Sequence, residues 1–250
     1  MHLFQPSKQQ LLPPVLSGYS LKLLAILTML IDHIGAVLLE NGYLYAYVHH
    51  LPGAPSYEVA QQILALDRSF RLIGRMAFPI FCFLLVEGFL HTSNRKKYME
   101  RLFLFALLSE IPFDLCFRQK FLEISYQNVM FTLLIGFLVL YCAEKYEERF
   151  PSLVLLWPAA GLLLAYAMKT DYSWKGVFLI VILYHLRNFP LERTVGGCLA
   201  LVWEPPAWLA FVPINMYNHT RGRSMKYFFY FFYPVHLLLL FSLRYILLGI

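Results

Sequence analysis

Long apolar runs separated by short polar stretches make up most of the chain. A helix needs about 20 mostly apolar residues to cross about 30 Å of hydrocarbon, and backbone groups in lipid must be satisfied within the segment, so strands are not predicted. The pattern predicts an all-α fold, a polytopic membrane helix bundle of about eight transmembrane helices. Their approximate cores are residues 21–41, 72–91, 101–118, 128–143, 152–168, 175–188, 195–214 and 227–248.

Several of these runs depart from a simple spanning helix. The run 175–188 is short, and the run 195–214 is broken by Pro205-Pro206. Short or broken segments are tolerated at membrane depth only where protein or water covers their backbone. We therefore expect one or more broken or short elements that line a cavity.

The sequence indicates a single membrane domain. Residues 1–20 lack the charged start, short apolar core and cleavage site of a signal peptide, so we predict an N-terminal cytoplasmic tail there. Residues 21–250 form the predicted transmembrane helical domain, because the longest predicted loop, 42–69, is too short for another domain.

Composition excludes a water-soluble protein. Hydrophobic residues make up 59% of the chain and charged residues 14%, against about 45–50% and about 25% in soluble domains. The four cysteines lie inside apolar runs, with no C-x-x-C pair and no histidine at metal-ligand spacing. We therefore predict buried free thiols and no metal site.

The net charge of +6 comes from basic clusters between apolar runs rather than from one basic face, so it predicts topology rather than nucleic-acid binding. The loop 92–101 is the most basic and is predicted to be cytoplasmic by the positive-inside rule. Eight spans then place both termini in the cytoplasm but the basic loop 215–226 outside, which conflicts with the rule. Either the Pro205-Pro206 element enters the membrane without crossing it, or the basic residues of that loop serve a function.

Ionisable residues inside predicted spans are the main candidates for chemistry, since a charge near the bilayer centre costs about 2.5–3.5 kcal/mol on insertion scales. The first span contains Asp32-His33. Neighbours on a helix point about 100° apart, so the two side chains need separate partners from other helices. One reading is a polar pair that holds helices together. The other makes His33 a general base, because imidazole takes and returns a proton near neutral pH.

Two further spans carry charges on one face. Arg71 and Arg75 are four residues apart and suit an anionic group, or else extend toward the membrane interface. Glu110 and Asp114 are also four apart, with Pro112 between them. One of the two carboxylates is expected to orient His33, as the aspartate does in hydrolase triads, unless both form structural ion pairs.

The C-terminal part holds polar candidates of a different kind. Tyr233 and His236 lie three apart inside the last run and are expected to face the core, which makes His236 a second candidate base. Asp171 and Arg244 lie at the ends of runs and are interpreted as solvated or interfacial.

Several strings that combine these costly charges in a fixed order identify a resemblance to the TraX family of bacterial membrane proteins, from about residue 20 to the C-terminus. They include Asp32-His33-Ile34-Gly35, Arg71-Leu72-Ile73-Gly74-Arg75, Ser109-Glu110-Ile111-Pro112-Phe113-Asp114, Asp171-Tyr172, Tyr217-Asn218, Arg221-Gly222 and Lys226-Tyr227-Phe228-Phe229-Tyr230. The family is named for a protein thought to acetylate the N-terminus of conjugative pilin. It is also distantly similar to transmembrane acyltransferases that use a first-helix histidine with acyl-CoA.

The resemblance implies an integral acyltransferase of the bacterial cytoplasmic (inner) membrane. It would move an acyl group, normally acetyl, from acetyl-CoA or another acyl-CoA to an amine or hydroxyl of a small molecule, lipid, glycan or peptide N-terminus. His33 would act as the base, with Asp32 beside it, and Glu110 or Asp114 would orient it. Arg75 or Asn218 would face the oxyanion. The residues expected to contact the acyl-CoA are Arg71, Arg95, Lys96, Lys97, Asn218, Arg221, Tyr233 and His236.

The alternative is a proton-coupled transporter. In it the same histidine and carboxylates would form a proton relay, and the element broken at Pro205-Pro206 would be a gate.

Overall fold

The structure is a computed structural model that describes residues 10–147 and 155–249. Within these ranges the fold is all-helical, and extended segments meet only in two isolated bridges, Leu16 to Tyr217 and Gln127 to Thr170. Residues 1–9 of the predicted tail and 152–154 of the predicted fifth span lie outside the described ranges. The helices are α1 (Gly18–Ile34), a π-helical segment (Gly35–Leu44), α2 (Tyr45–Val48), α3 (Tyr57–Gly74), α4 (Ala77–His91), α5 (Arg95–Phe117), α6 (Val129–Glu147), α7 (Leu156–Ala167), α8 (Ser173–His185), α9 (Pro190–Ala200), a 3-10 helix (Pro205–Ala210), α10 (Phe211–Asn215) and α11 (Lys226–Leu248).

Local sequence explains where several helices begin and end. The Ser17 hydroxyl accepts the Ser20 N–H at the start of α1, and the Asn94 side chain accepts the Lys97 N–H at the start of α5. Both bonds satisfy backbone donors that a first helical turn leaves free. The last helix ends at Gly249, whose positive φ of 69° closes the final turn without steric cost.

Four helical stretches among the described residues are long and apolar enough to cross a membrane, fewer than the eight predicted. The prediction of eight spans was wrong because some of the predicted helices are too short and another carries too many charged residues. Helices α7 and α8 have 12 and 13 residues, which cover only about 18–20 Å at 1.5 Å per residue. Helix α5 is 23 residues long but carries several charged residues in its first two turns. The four stretches are Gly18–Val48, Tyr57–His91, Val129–Tyr146 and Lys226–Leu248.

The predicted loop 42–69 is mostly helical. The first helix continues through the π-helical segment to Val48, and α3 begins at Tyr57. Hydropathy missed α3 because this helix is amphipathic and carries Asp67 and Arg71 among its apolar residues. It packs closely on the first helix: a Cβ added to Gly35 would lie 3.0 Å from the Asp67 Oδ1 atom.

The run 195–214 does not cross the bundle. Helix α9, the 3-10 helix and α10 form a re-entrant hairpin whose two ends lie together, because Asn215 bonds both Arg193 (3.0 Å) and Thr194 (2.8 Å). The tip of the hairpin reaches Arg75 through Glu204 at 2.9 Å. The segment therefore folds back on itself, as the first of the two explanations for the charge conflict requires.

This hairpin brings the two basic loops to one end of the bundle, which we call the basic end. Backbone bonds join Leu16 and Gly18 to residues 216 and 220, and Lys226 lies within electrostatic range of Lys97 and Arg101. The C-terminal turn lies at the opposite end, since Leu248 approaches Gly42. The start of α1 and the end of α11 therefore lie at opposite ends of the bundle.

Arg244 is fully buried rather than interfacial. Its guanidinium donates to the backbone carbonyls of Cys116 (2.7 Å) and Leu115 (2.8 Å). These are carbonyls of the last turn of α5, which have no partner inside their own helix. Arg244 therefore ties α11 to the end of α5.

Candidate functional site

A cavity of about 760 Å³ lies between the first helix, α3, α4, α11 and the turn between α7 and α8; we call it the His33 cavity. Its exposed lining residues include Glu40, Arg118 and Lys169. These residues belong to the end of the bundle opposite the basic end, so the cavity opens there. His33 lies 15 residues along the first helix from Gly18, about 22 Å at 1.5 Å per residue. The imidazole is therefore near the middle of the bundle.

His33 is hydrogen-bonded to a second histidine. Its Nδ1 lies 2.6 Å from Nε2 of His236, and Nδ1 of His236 lies 2.6 Å from the carbonyl oxygen of Phe232. A carbonyl only accepts, so His236 donates from Nδ1 and accepts at Nε2. When both rings are neutral, His33 must then carry its proton on Nδ1. Its Nε2 keeps a free lone pair, and no described residue bonds to it.

Aromatic rings hold this histidine pair in place. The two imidazole planes are 3° apart, with ring centroids at 4.9 Å. Phe117 meets the His33 ring edge-on at 5.6 Å, and Tyr233 lies 6.1 Å away. His236 and Tyr233 are buried, at 4% and 6% exposure, and Tyr233 also lines the cavity. Both residues of α11 named by the sequence therefore lie at the centre of the site.

Asp32 points to a different helix, as the helical geometry predicted. Its carboxylate accepts a hydrogen bond of 2.5 Å from Arg71, whose Nε lies 3.9 Å from Glu40. Gly74 makes this approach possible: a Cβ there would overlap the Asp32 side chain. The expectation that Asp32 and His33 find separate partners on other helices is confirmed.

Arg75 pairs with the tip of the re-entrant hairpin. Its Nη1 lies 2.9 Å from Glu204, a residue that sequence analysis did not single out. Arg75 lies at the turn between α3 and α4 and lines the His33 cavity together with Arg71. A guanidinium has five N–H donors, so each arginine keeps donors for a ligand after binding its carboxylate.

Asp171 belongs to the cavity rather than to the solvated surface. It lies in the turn between α7 and α8, outside the candidate spans, and its Oδ1 accepts hydrogen bonds from the Tyr126 hydroxyl (2.9 Å) and the Tyr172 N–H (3.1 Å). Removal from bulk water raises the pKa of this carboxyl, while the Tyr126 hydrogen bond acts in the opposite direction.

Glu110 and Asp114 do not orient His33. Glu110 accepts from the backbone N–H of Asn128 at 2.9 Å, and Asp114 accepts from the backbone N–H of Glu123 at 2.7 Å. Both carboxylates therefore hold the loop between α5 and α6. The orienting partner of His33 is His236, which replaces the carboxylate expected from the triad analogy.

Five of the residues expected to contact acyl-CoA lie at the basic end, outside the His33 cavity. Arg95 pairs with Glu144 at 3.0 Å, and Asn218 accepts from the Thr220 N–H at 3.0 Å within its own loop. Asn218 is therefore not placed to face an oxyanion beside His33. The five are Arg95, Lys96, Lys97, Asn218 and Arg221.

Sequence analysis did not place Glu204, Asp171 or Tyr126 in the site, although all three line the cavity. Weak signals existed, since Glu204 directly precedes Pro205-Pro206 and Asp171 belongs to one of the strings that carried the resemblance. No cluster of three or more potential metal ligands occurs among the described residues.

The family model described as TraX protein matches residues 17–244. The chain belongs to the TraX family. The chain is also 26% identical over 261 residues to a probable fimbrial assembly protein FimC, serogroup H1, from Dichelobacter nodosus, in an alignment that covers 91% of the chain and 96% of that protein. No solved structure matches the chain. The TraX match includes every residue of the histidine pair and of both arginine–carboxylate pairs.

Proposed function

We propose that this TraX protein is a membrane acyltransferase that moves an acyl group from acyl-CoA to an amine or hydroxyl, with His33 as the general base. The observation that carries the proposal is the His33–His236 pair, which leaves the Nε2 of His33 free in a cavity lined by arginines. A base must have its lone pair within reach of the proton that it removes.

The proton moves in a defined order. As the acceptor nitrogen or oxygen attacks the thioester carbonyl, Nε2 of His33 takes its proton. The imidazolium keeps its Nδ1–H bond to His236, which holds the ring in position. When the tetrahedral intermediate collapses, the carbon–sulfur bond breaks and the coenzyme A thiolate leaves. His33 then returns its proton to that thiolate, so charge and protons balance.

The negative oxygen of the intermediate needs donors near His33. Arg71 and Arg75 supply them, because each is fixed by one carboxylate and retains further N–H groups. Fixed donors stabilise developing charge without reorganising during the reaction. Arg75 was expected to face the oxyanion, and it keeps this role. Arg71 was expected to contact the acyl-CoA, and we now assign it to the oxyanion as well.

The charge distribution suggests an orientation. The positive-inside rule places the basic end in the cytoplasm of a bacterial inner membrane. The His33 cavity then opens on the far side, and we propose that the acceptor enters there. The relative named for fimbrial assembly makes a peptide N-terminus of a fimbrial subunit one acceptor to test, beside lipids, glycans and small molecules.

The test is an acyl-transfer assay on the purified full chain in detergent. Acetyl-CoA carrying a labelled acetyl group is offered with a panel of acceptors: a short peptide with a free N-terminus, ethanolamine, glucosamine and phosphatidylethanolamine. We expect label on at least one acceptor and an equal amount of free thiol. No transfer to any acceptor, with a folded protein, contradicts the proposal.

The second candidate is the proton-coupled transporter, favoured by one observation: the re-entrant hairpin places Glu204 against Arg75 inside the cavity. A transporter needs sealed vesicles and a proton gradient, whereas the acyltransferase works in detergent. Proton uptake into proteoliposomes that depends on His33, without thiol release from acetyl-CoA, would decide for the transporter.

A further inference from the structure

A second cavity, of about 480 Å³, lies at the basic end, at the base of the re-entrant hairpin. It is lined by the start of α9, the end of α10 and the turn after α8, and its exposed lining residues include Asn188 and His219. The second cavity therefore opens at the end of the bundle opposite the mouth of the His33 cavity. Neither the sequence analysis nor the proposed function assigns it a role.

Arg193 is the most unusual residue of this cavity. It is buried, at 6% exposure, and its Nη2 donates to the neutral Asn215 side chain at 3.0 Å. Among the described residues, its Nε has no hydrogen-bond partner and no carboxylate lies within ion-pair distance. Its guanidinium also lies over the Phe83 ring, 5.2 Å from the ring centroid. An unpaired buried charge is costly, so a compensating anion stabilises it.

The surrounding groups favour an anion. Arg187 lines the cavity, and so does Pro190, the first residue of α9, which puts the positive end of that helix dipole at the cavity wall. The described lining contains no Asp or Glu. Glu87 acts on Arg193 through space but lies beyond ion-pair distance of it, and its Oε2 has no hydrogen-bond partner among the described residues.

We propose that the second cavity binds a phosphate group of a ligand that approaches from the basic end. The lining offers two arginines, three side-chain amides, a histidine and a helix N-terminus, which are groups that recognise phosphate oxygens. The phosphate belongs either to a soluble ligand such as coenzyme A or to an anionic lipid headgroup. Its assignment to the acyl donor rests on the proposed function, whereas phosphate binding does not.

The experiment measures binding by the purified full chain in neutral detergent at about 0.15 M salt, where interactions between well-separated exposed charges are largely screened. The soluble pair of probes is coenzyme A and pantetheine, which lacks phosphate. The lipid pair is phosphatidylglycerol and the zwitterionic phosphatidylcholine. We expect the phosphate-bearing or anionic member of one pair to bind at least about tenfold more tightly, since a charge-assisted hydrogen bond contributes about 1.5–3 kcal/mol.

The variants locate the binding site. Arg187→Gln removes a partly buried lining charge, and Arg193→Gln removes the buried one; each is expected to raise the Kd about tenfold or more. Arg223→Gln is the matched control, because it removes an exposed charge at the same end outside the lining. If Arg193→Gln fails to fold, Arg187→Gln still decides.

Two results overturn the inference: equal binding within both probe pairs, or an Arg223→Gln effect as large as that of Arg187→Gln. If coenzyme A binds more tightly than pantetheine and Arg187→Gln abolishes the difference, the cavity binds the phosphate of a soluble ligand. If phosphatidylglycerol binds more tightly than phosphatidylcholine and Arg187→Gln abolishes that difference, the cavity binds a lipid headgroup. The acyltransferase proposal fails separately: the protein would then transfer no acyl group but would still bind the phosphate-bearing or anionic probe more tightly than its partner probe.

Discussion

The two cavities lie at the tip and at the base of one re-entrant hairpin, and they differ in how their buried charges are paired. In the His33 cavity the two central arginines each bind a carboxylate, and the two histidines bind each other. In the second cavity Arg193 is buried against a neutral hydrogen-bond partner, Asn215, and the Phe83 ring. The first arrangement would hold the proposed catalytic groups in fixed positions, whereas the second would leave positive charge for the proposed ligand to neutralise.

The largest expected effect separates the histidines of the two cavities. His33→Gln should lower acyl transfer at least about 100-fold, because general base catalysis contributes about 10²–10⁴. The thermal midpoint should change little, and coenzyme A binding should persist. His219→Asn is the matched change in the second cavity, at a positive φ of 57° that Asn tolerates. Transfer by His33→Gln at the wild-type rate removes this residue from the mechanism.

The next effect tests whether His236 acts through His33. His236→Leu removes the acceptor that fixes the His33 proton on Nδ1, and we expect transfer to fall about 10–100-fold. His236→Gln retains an oxygen that can accept the same N–H and should recover part of this loss. If Gln and Leu are equally slow at equal thermal stability, His236 is a packing residue only.

The third prediction compares paired and unpaired charge. Asp32→Asn leaves Glu40, 3.9 Å away, as the nearest carboxylate to Arg71, so the free energy of unfolding should fall by about 2 kcal/mol, or roughly 4–8 °C in Tm. Arg193→Gln removes an uncompensated charge and should lower Tm by less. A thermal melt in detergent measures both, and a larger loss for Arg193→Gln contradicts the comparison.

The smallest expected effect concerns packing around the Asp32–Arg71 ion pair. Gly74→Ala places a methyl group against Asp32 and should cost about 1 kcal/mol, because overpacking outweighs the better helix propensity of alanine. Gly196→Ala is a suitable control, since its nearest neighbour is the flexible end of Leu186 at 2.8 Å. Equal Tm values for the two variants would show that α1 and α3 separate easily.

Several individual residues of the site could be predicted from the sequence, but which residues bond to each other could not. Burial of a charge in an apolar run is visible in the sequence, and it selected Asp32, His33 and Arg75. Glu204 was missed because the run 195–214 that contains it is broken by the two prolines that follow it. Prolines predict a break in a helix but do not predict which residues it contacts. The orienting role was given to Glu110 or Asp114 by analogy with the aspartate of hydrolase triads, whereas in the fold both carboxylates accept backbone N–H groups.

The span count failed for a related physical reason. Hydropathy records how apolar a segment is, and both a crossing helix and a re-entrant hairpin are apolar when protein covers them. The contacts of Asn215 with Arg193 and Thr194 show that the segment 195–214 returns to the end of the bundle where it began.

By itself, the sequence determined a helical membrane protein with basic loops, and it required Asp32 and His33 to find different partners, because composition and the 100° step of a helix are local properties. Tertiary structure alone decided that His33 is hydrogen-bonded to His236, 203 residues away. It alone also decided that one cavity lies at the tip of the hairpin and the other at its base. Helix periodicity fixes which residues share a face, but the partner of that face depends on how all the helices pack together.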